Sequence, residues 1–126
     1  MKLLLDTNVL LWYAQGILPH QAKVHIEEQR NYIYFSSASI WEIVIKNSLG
    51  RKDFQINAVE LYRGLLKDEC KEIRIDTHHI LSVGNLPNIH KDPFDRILLA
   101  QAISENMSFL TSDAALNQYP ATIILI

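Results

Sequence analysis

Short unbroken apolar runs alternate along this chain with longer stretches in which apolar residues recur every three or four positions. The first run, Leu3 to Leu5, reads as a strand covered on both faces, and polar Asp6-Thr7-Asn8 end it. Val9 to Ala14 suits a helix that Gly16 stops. A second helix is expected from Pro19, placed at its first position, through Gln29. "YIYFSS" predicts the next strand, and "SIWEIVIKNSLG" sets Ile40, Ile43, Val44 and Leu49 near helical spacing with Gly50 as the stop. Asn57-Ala58-Val59-Glu60 has the form of a capping box, opening a helix whose Leu61, Leu65 and Leu66 share one face. "KEIRI" predicts a strand, His79 to Val83 a short helix, and "GNLPNIHKDP" a loop by its Gly, Asn and Pro content. A helix from Pro93 to Asn106, a strand in "SFLTSD", a short helical piece "AALNQ" and a last strand "TIILI" complete the series.

Strands thus alternate with helices throughout. That alternation implies an α/β fold in three layers, a mostly parallel sheet of about five strands flanked by helices. In such sheets ligands gather beyond the carboxyl ends of the strands, where strand order reverses. A chain of 126 residues, 48% hydrophobic, buries one sizeable core, so residues 1–126 are read as a single domain. No linker tract, repeat or disordered segment interrupts it.

Four acidic residues fall at comparable places. Asp6 follows the first strand, Glu42 is expected in the first turn of the helix after the second, Asp95 sits in the first turn of a late helix, and Asp113 follows the next strand. If the parallel connections bring these ends together, four carboxylates share one edge. Two such charges 4 Å apart repel by about 4 kcal/mol at an effective dielectric of 20, so the cluster needs protons or cations. Oxygen-only ligands suit magnesium or manganese. Two such ions about 3.5 to 4 Å apart activate a water and stabilise the leaving oxygen of a phosphodiester.

Each acid also has a purely structural reading. Asp6 suits a helix cap. Ser39-Ile40-Trp41-Glu42 fits a capping box, and Glu42 is one turn from Lys46. Asp92, directly before Pro93 and one turn from Arg96, is placed as an N-cap, which leaves Asp95 redundant in that role. Asp113 suits a cap for "AALNQ". Neighbouring Thr7, Asn8, Thr111 and Ser112 are placed to hydrogen-bond a ligand, a metal-bound water or the backbone. Lys46 and Arg96 are candidates for phosphate contacts, or simply solvated cations. His78 and His79 diverge on a helix, and His90, in the loop near Asp92, fits no metal-ligand spacing. Trp12 and Trp41 lie inside apolar stripes and are assigned to the core or a contact surface rather than to base stacking.

Charge and cysteine content refine the picture. A formal charge of −2 argues against broad capture of nucleic acid, yet setting four of the 14 acids aside leaves ten against 12 basic residues, so a metal-loaded molecule meets phosphates. Lone Cys70 excludes an internal disulfide framework, and the apolar run in "MKLLLD" is too short for a signal peptide or membrane span, which points to a reduced, cytoplasmic setting and no membrane partner. Phosphate-cradling glycine loops, G-x-S-x-G and G-x-G-x-x-G are absent. An aspartyl-phosphate phosphatase would also place an acid after the first strand, but the dehalogenase-like fold wants a second acid two residues on, where this chain has Asn8. A non-catalytic binding module on the same fold is the rival of a different class, and four retained like charges argue against it.

Taken in order, "LLLDTNVLLW", "SSASIWEIVIKNSLGR", "LPNIHKDPFDRILLAQA" and "FLTSD" resemble the PIN-domain family and, within it, the VapC-like toxins of bacterial toxin-antitoxin pairs. The resemblance runs over nearly the whole chain. It implies a metal-dependent endoribonuclease using Mg2+ or Mn2+, with the family's four acids falling on Asp6, Glu42, Asp95 and Asp113. Thr7 or Asn8 and Thr111 fall on the polar positions that line such sites. RNA as substrate, a small antitoxin protein as partner and a homodimer are further implications of the resemblance.

Overall fold

The computed structural model describes residues 1–126. Five strands, β1 (Lys2–Leu5), β2 (Tyr32–Ser36), β3 (Lys71–Ile73), β4 (Ser108–Thr111) and β5 (Ile123–Leu125), form one wholly parallel sheet in the order β3-β2-β1-β4-β5. Six helices, α1 (Thr7–Gln15), α2 (His20–Ile26), α3 (Ser37–Ser48), α4 (Ala58–Lys67), α5 (Thr77–Val83) and α6 (Pro93–Ser104), flank it, and residues Ala114–Gln118 form a 3-10 helix. This is the expected α/β architecture.

The pleat sorts adjacent residues of the central strands to opposite faces. Leu4 and Phe109 enter one core with Leu98, Leu99 and Leu116, whereas Leu5 and Leu110 enter the other with Leu10, Phe35, Ile43 and Leu65. Each of these side chains is buried to within a few per cent, and each contributes about 1.5–3 kcal/mol on leaving water. Both faces of β1 are therefore covered, which is why its run is apolar without alternation.

Local chemistry moves several boundaries. Pro19 stands at the N-cap of α2 rather than inside it, and the helix ends at Ile26, short of Gln29. Helix α3 begins directly at the end of β2: Ser36 is its N-cap, accepting from the Ala38 amide at 3.0 Å. The capping box expected at Ser39 does not form, and Glu42 lies in the second turn instead of the first. Leu61 and Leu65 of α4 are buried while Leu66 turns outward. "AALNQ" closes as a 3-10 turn capped by Asp113.

The chain lays down β1, β2 and β3 on one side and returns to add β4 and β5 on the other. The reversal lies between β1 and β4, whose carboxyl ends are Leu5 and Thr111. No helix is long and apolar enough to cross a membrane.

Candidate active site

Residues following β1, β2 and β4, together with the first turn of α6, meet at this reversal point. Asp6 caps α1: its Oδ1 accepts from the Thr7 amide at 2.8 Å, and its Oδ2 accepts from the Thr111 hydroxyl at 2.7 Å. Capping and membership of the cluster are compatible because the two oxygens divide the work. Thr111, fully buried, accepts in turn from the Asp113 amide at 3.0 Å. On the other side of Asp6, the Thr7 hydroxyl donates to Glu42 Oε1 at 2.8 Å and lies 2.9 Å from the buried Ser39 hydroxyl, which is left to donate to it. Glu42 Oε2 pairs with Lys46 Nζ at 3.1 Å, the i,i+4 pair anticipated from spacing. One polar network thus ties Glu42, Asp6 and Asp113 together through two threonines far apart in the chain.

Asp95 completes the set differently. Asp92 takes the N-cap of α6, accepting from the Phe94 amide at 2.9 Å. Asp95 is released from capping, and its side chain is only 16% exposed. Its carboxylate accepts no hydrogen bond from the protein, and His90 Nε2 stands 3.6 Å from Oδ2. Burial, followed by the charges of Asp6, Asp92, Glu42 and Asp113, pushes its pKa up to about 7. Asp6 is also raised, by burial first, against the lowering effect of its bonds to Thr111 and Thr7. Two carboxyl groups held toward the neutral form, beside further acids, are the electrostatic mark of carboxylates gathered without a counter-charge.

The donor set fits a hard divalent cation. All four acids are oxygen ligands, and the largely buried Asp95 carboxylate has no donor of its own. Carboxylate oxygens of Asp95 and Asp113 lie within 4.8 Å of each other, and the charges of Asp6 and Glu42 act on Asp95 from beside them.

The supporting residues divide. Thr7 and Thr111 build the network. Asn8 and Ser112 are exposed beside them, with no hydrogen bond from their side chains to the protein. Lys46 is held between Glu42 and the face of Phe54, 5.8 Å from the ring centre. Arg96 does not reach Asp92; its guanidinium donates to the carbonyls of Pro87 at 2.9 Å and Val83 at 3.2 Å, so it fastens the loop before α6. Trp41 is 58% exposed, on the surface rather than in the core, and meets Phe94 edge-to-face at 5.3 Å.

His90 and Ser39 are the residues of the site that pattern reading passes over. His90 Nε2 lies 3.5 Å from Asp113 Oδ2 as well as 3.6 Å from Asp95 Oδ2. Its closeness in sequence to Asp92 is the only available hint, and that names the wrong acid as its side-chain neighbour. Ser39, expected as a cap, is instead a donor to the Thr7 hydroxyl.

Residues 3–121 match the family described as PIN domain. No curated protein matches the sequence. Among solved structures, VapBC2 from Rickettsia felis bound to a DNA fragment from its promoter is similar with a TM-score of 0.74 at 19% identity, over 100% of this chain and 98% of that one. DNA-bound VapBC from Salmonella typhimurium gives 0.70 at 14% identity, over 98% and 97%. A toxin-antitoxin complex from Klebsiella pneumoniae gives 0.67 at 18% identity, over 96% and 94%. At these identities the structures speak for the fold, and the family assignment rests on the match over nearly the full sequence: the chain belongs to the PIN domain family.

Proposed function

We propose that this protein is a Mg2+- or Mn2+-dependent endoribonuclease, the toxin of a toxin-antitoxin pair, acting on RNA phosphodiester bonds. The observation that carries the reading is the gathering of Asp6, Glu42, Asp95 and Asp113, from four separate elements, at one edge of the sheet. A structural acid cluster would be neutralised by arginines or lysines; here Lys46 answers Glu42 alone. A bound divalent ion supplies positive charge for phosphate oxygens and acidifies water.

The chain's own residues do the rest. Thr111 and the Thr7 amide hold Asp6 in one orientation, and Thr7 with Lys46 holds Glu42. Asp95 is carried by the first turn of α6, where the helix dipole favours negative charge. Asn8 and Ser112 stand exposed at the same edge, with donors free for a phosphate or sugar hydroxyl. Cys70 is buried beside Tyr13, so a thiol nucleophile finds no support. The named neighbours are toxin-antitoxin complexes, which supports an antitoxin partner. A homodimer is consistent with the exposed Trp41, Val44, Ile80 and Leu81. The single buried cysteine agrees with a reduced, cytoplasmic setting.

The test is cleavage of a mixed RNA pool by purified protein. Chelation is expected to abolish cleavage and Mg2+ or Mn2+ to restore it, with Asp95→Asn and Asp6→Asn inactive yet folded. Cleavage that persists in chelator, or at the wild-type rate in both variants, would overturn the proposal.

A further inference from the structure

We infer that His90 is a positioning residue of the acid site: its Nε2–H, held toward Asp95 and Asp113, sets the orientation in which those carboxylates meet a divalent ion. The inference rests on the metal-dependent reading above.

The imidazole occupies a specific place. It stands in the loop between α5 and α6 with its Nε2 almost equidistant from an oxygen of Asp95, in the first turn of α6, and one of Asp113, after β4. Donor atoms of the three residues all lie within 4.8 Å of one another. No other side chain bridges these two acids.

Its tautomer follows from the backbone. The Asp92 amide donates to His90 Nδ1 at 3.2 Å, so in the neutral ring the proton resides on Nε2. The group facing the acids is therefore a donor. Coordination of an ion through Nε2 would require the proton to move to Nδ1, where the Asp92 N–H already points. At 3.5 and 3.6 Å these are charge–dipole contacts rather than hydrogen bonds, so the N–H orients the two carboxylates while leaving their lone pairs available to a cation. Outer-layer groups that orient metal-ligating carboxylates through hydrogen bonds typically change metal affinity about 10- to 100-fold when removed, and the longer His90 contacts belong at the lower end of that range.

The loop is built to keep the ring there. Tyr119, 4% exposed, accepts from the His90 amide at 2.7 Å. Arg96 donates to the Tyr119 hydroxyl at 3.4 Å and to the His90 carbonyl at 3.5 Å while tying down Pro87 and Val83. Asp92, which orients the ring through its amide, caps with its side chain the helix that carries Asp95. A segment without regular structure is thus fixed on both sides of His90 by side chains from α6 and from the end of the 3-10 helix.

The test is titration of chelator-treated protein with Mn2+, followed by loss of the free-ion electron paramagnetic resonance signal. His90→Ala is expected to bind Mn2+ about 10-fold more weakly or worse. His90→Gln, whose amide places an N–H near the same point, is expected to recover most of the affinity. Tyr119→Phe, which removes the brace but keeps the ring, is expected to weaken binding less than His90→Ala. Equal Mn2+ affinity in wild type and His90→Ala overturns this inference alone, and so does a His90→Gln variant as weak as His90→Ala. A directly coordinated imidazole nitrogen in the spin-echo spectrum of the wild-type complex also overturns it, making His90 a ligand. If wild type binds no Mn2+, the metal-dependent reading fails and this inference falls with it.

Discussion

Replacing Asp95 by asparagine removes the one acid of the cluster whose pKa burial and neighbouring charges push from an ordinary 3.8 up to about 7. The sign of the effect on stability follows directly. Between those two values the folded protein holds a proton that the unfolded chain has released, so wild-type stability falls as pH rises from about 4 to about 7 and is level on either side. The full gap corresponds to about 4 kcal/mol. Water reaching the open side of the cleft screens the charge, so on the order of 2 kcal/mol is expected. The neutral amide of the variant forgoes a favourable interaction with the amino end of α6 worth roughly 0.3–1 kcal/mol, while the Asp92 cap stays in place. In metal-free protein at pH 8, Asp95→Asn should therefore be more stable by about 1–2 kcal/mol, or roughly 4–8 °C in Tm for a chain of this size. At pH 4 the advantage should vanish. Circular-dichroism melts of both proteins in chelator, from pH 4 to pH 9, measure the difference curve. Saturating Mn2+ should then raise the wild-type Tm more than that of the variant. A difference independent of pH, or one that favours wild type as pH rises, would refute the electrostatic account of the cluster.

Three further outcomes follow from particular contacts. Thr111→Val removes the hydroxyl that donates to Asp6 Oδ2 and accepts from the Asp113 amide; denaturant unfolding should show a loss of about 1–3 kcal/mol, with Mn2+ binding weakened as well. Gln101 is fully buried and neither amide atom meets a partner in the protein, so Gln101→Met should stabilise by about 1 kcal/mol, read as a higher urea midpoint at unchanged slope. Phe109→Ala, in the centre of one core, should destabilise by about 3–5 kcal/mol and cost soluble expression, measured by the same unfolding curve.

The order and type of the elements were legible because burial imposes its period on the chain. Leu3 to Leu5 is apolar throughout since β1 is covered on both faces, and Leu61 and Leu65 repeat at helical spacing since α4 covers the sheet with one stripe. The convergence of the four acids was legible for a related reason: each stands just past a strand end or near a helix start, and the parallel strand order brings those ends to one edge. Boundaries set by competing caps were not. In "SSAS" three serines compete for the start of α3, and Ser36 wins because the strand ends there, which shifts Glu42 by a turn. Trp41 lies within a helical apolar stripe, but that stripe is wider than the sheet can cover, so the indole is left in solvent.

What the sequence determined by itself is therefore the alternation of strand and helix and the positions of four acids along it, both matters of local spacing. Only the tertiary structure decided which groups touch. Thr111 reaches Asp6 across 105 residues because β1 and β4 are neighbours in the sheet, and Tyr119 reaches His90 across 29 because the 3-10 helix returns past the loop. Such pairings leave no period in the chain. They are fixed by strand order and by burial of the whole core, and the role of Arg96 as a loop clamp, where its sequence position left a phosphate contact or a solvated cation open, comes from the same source.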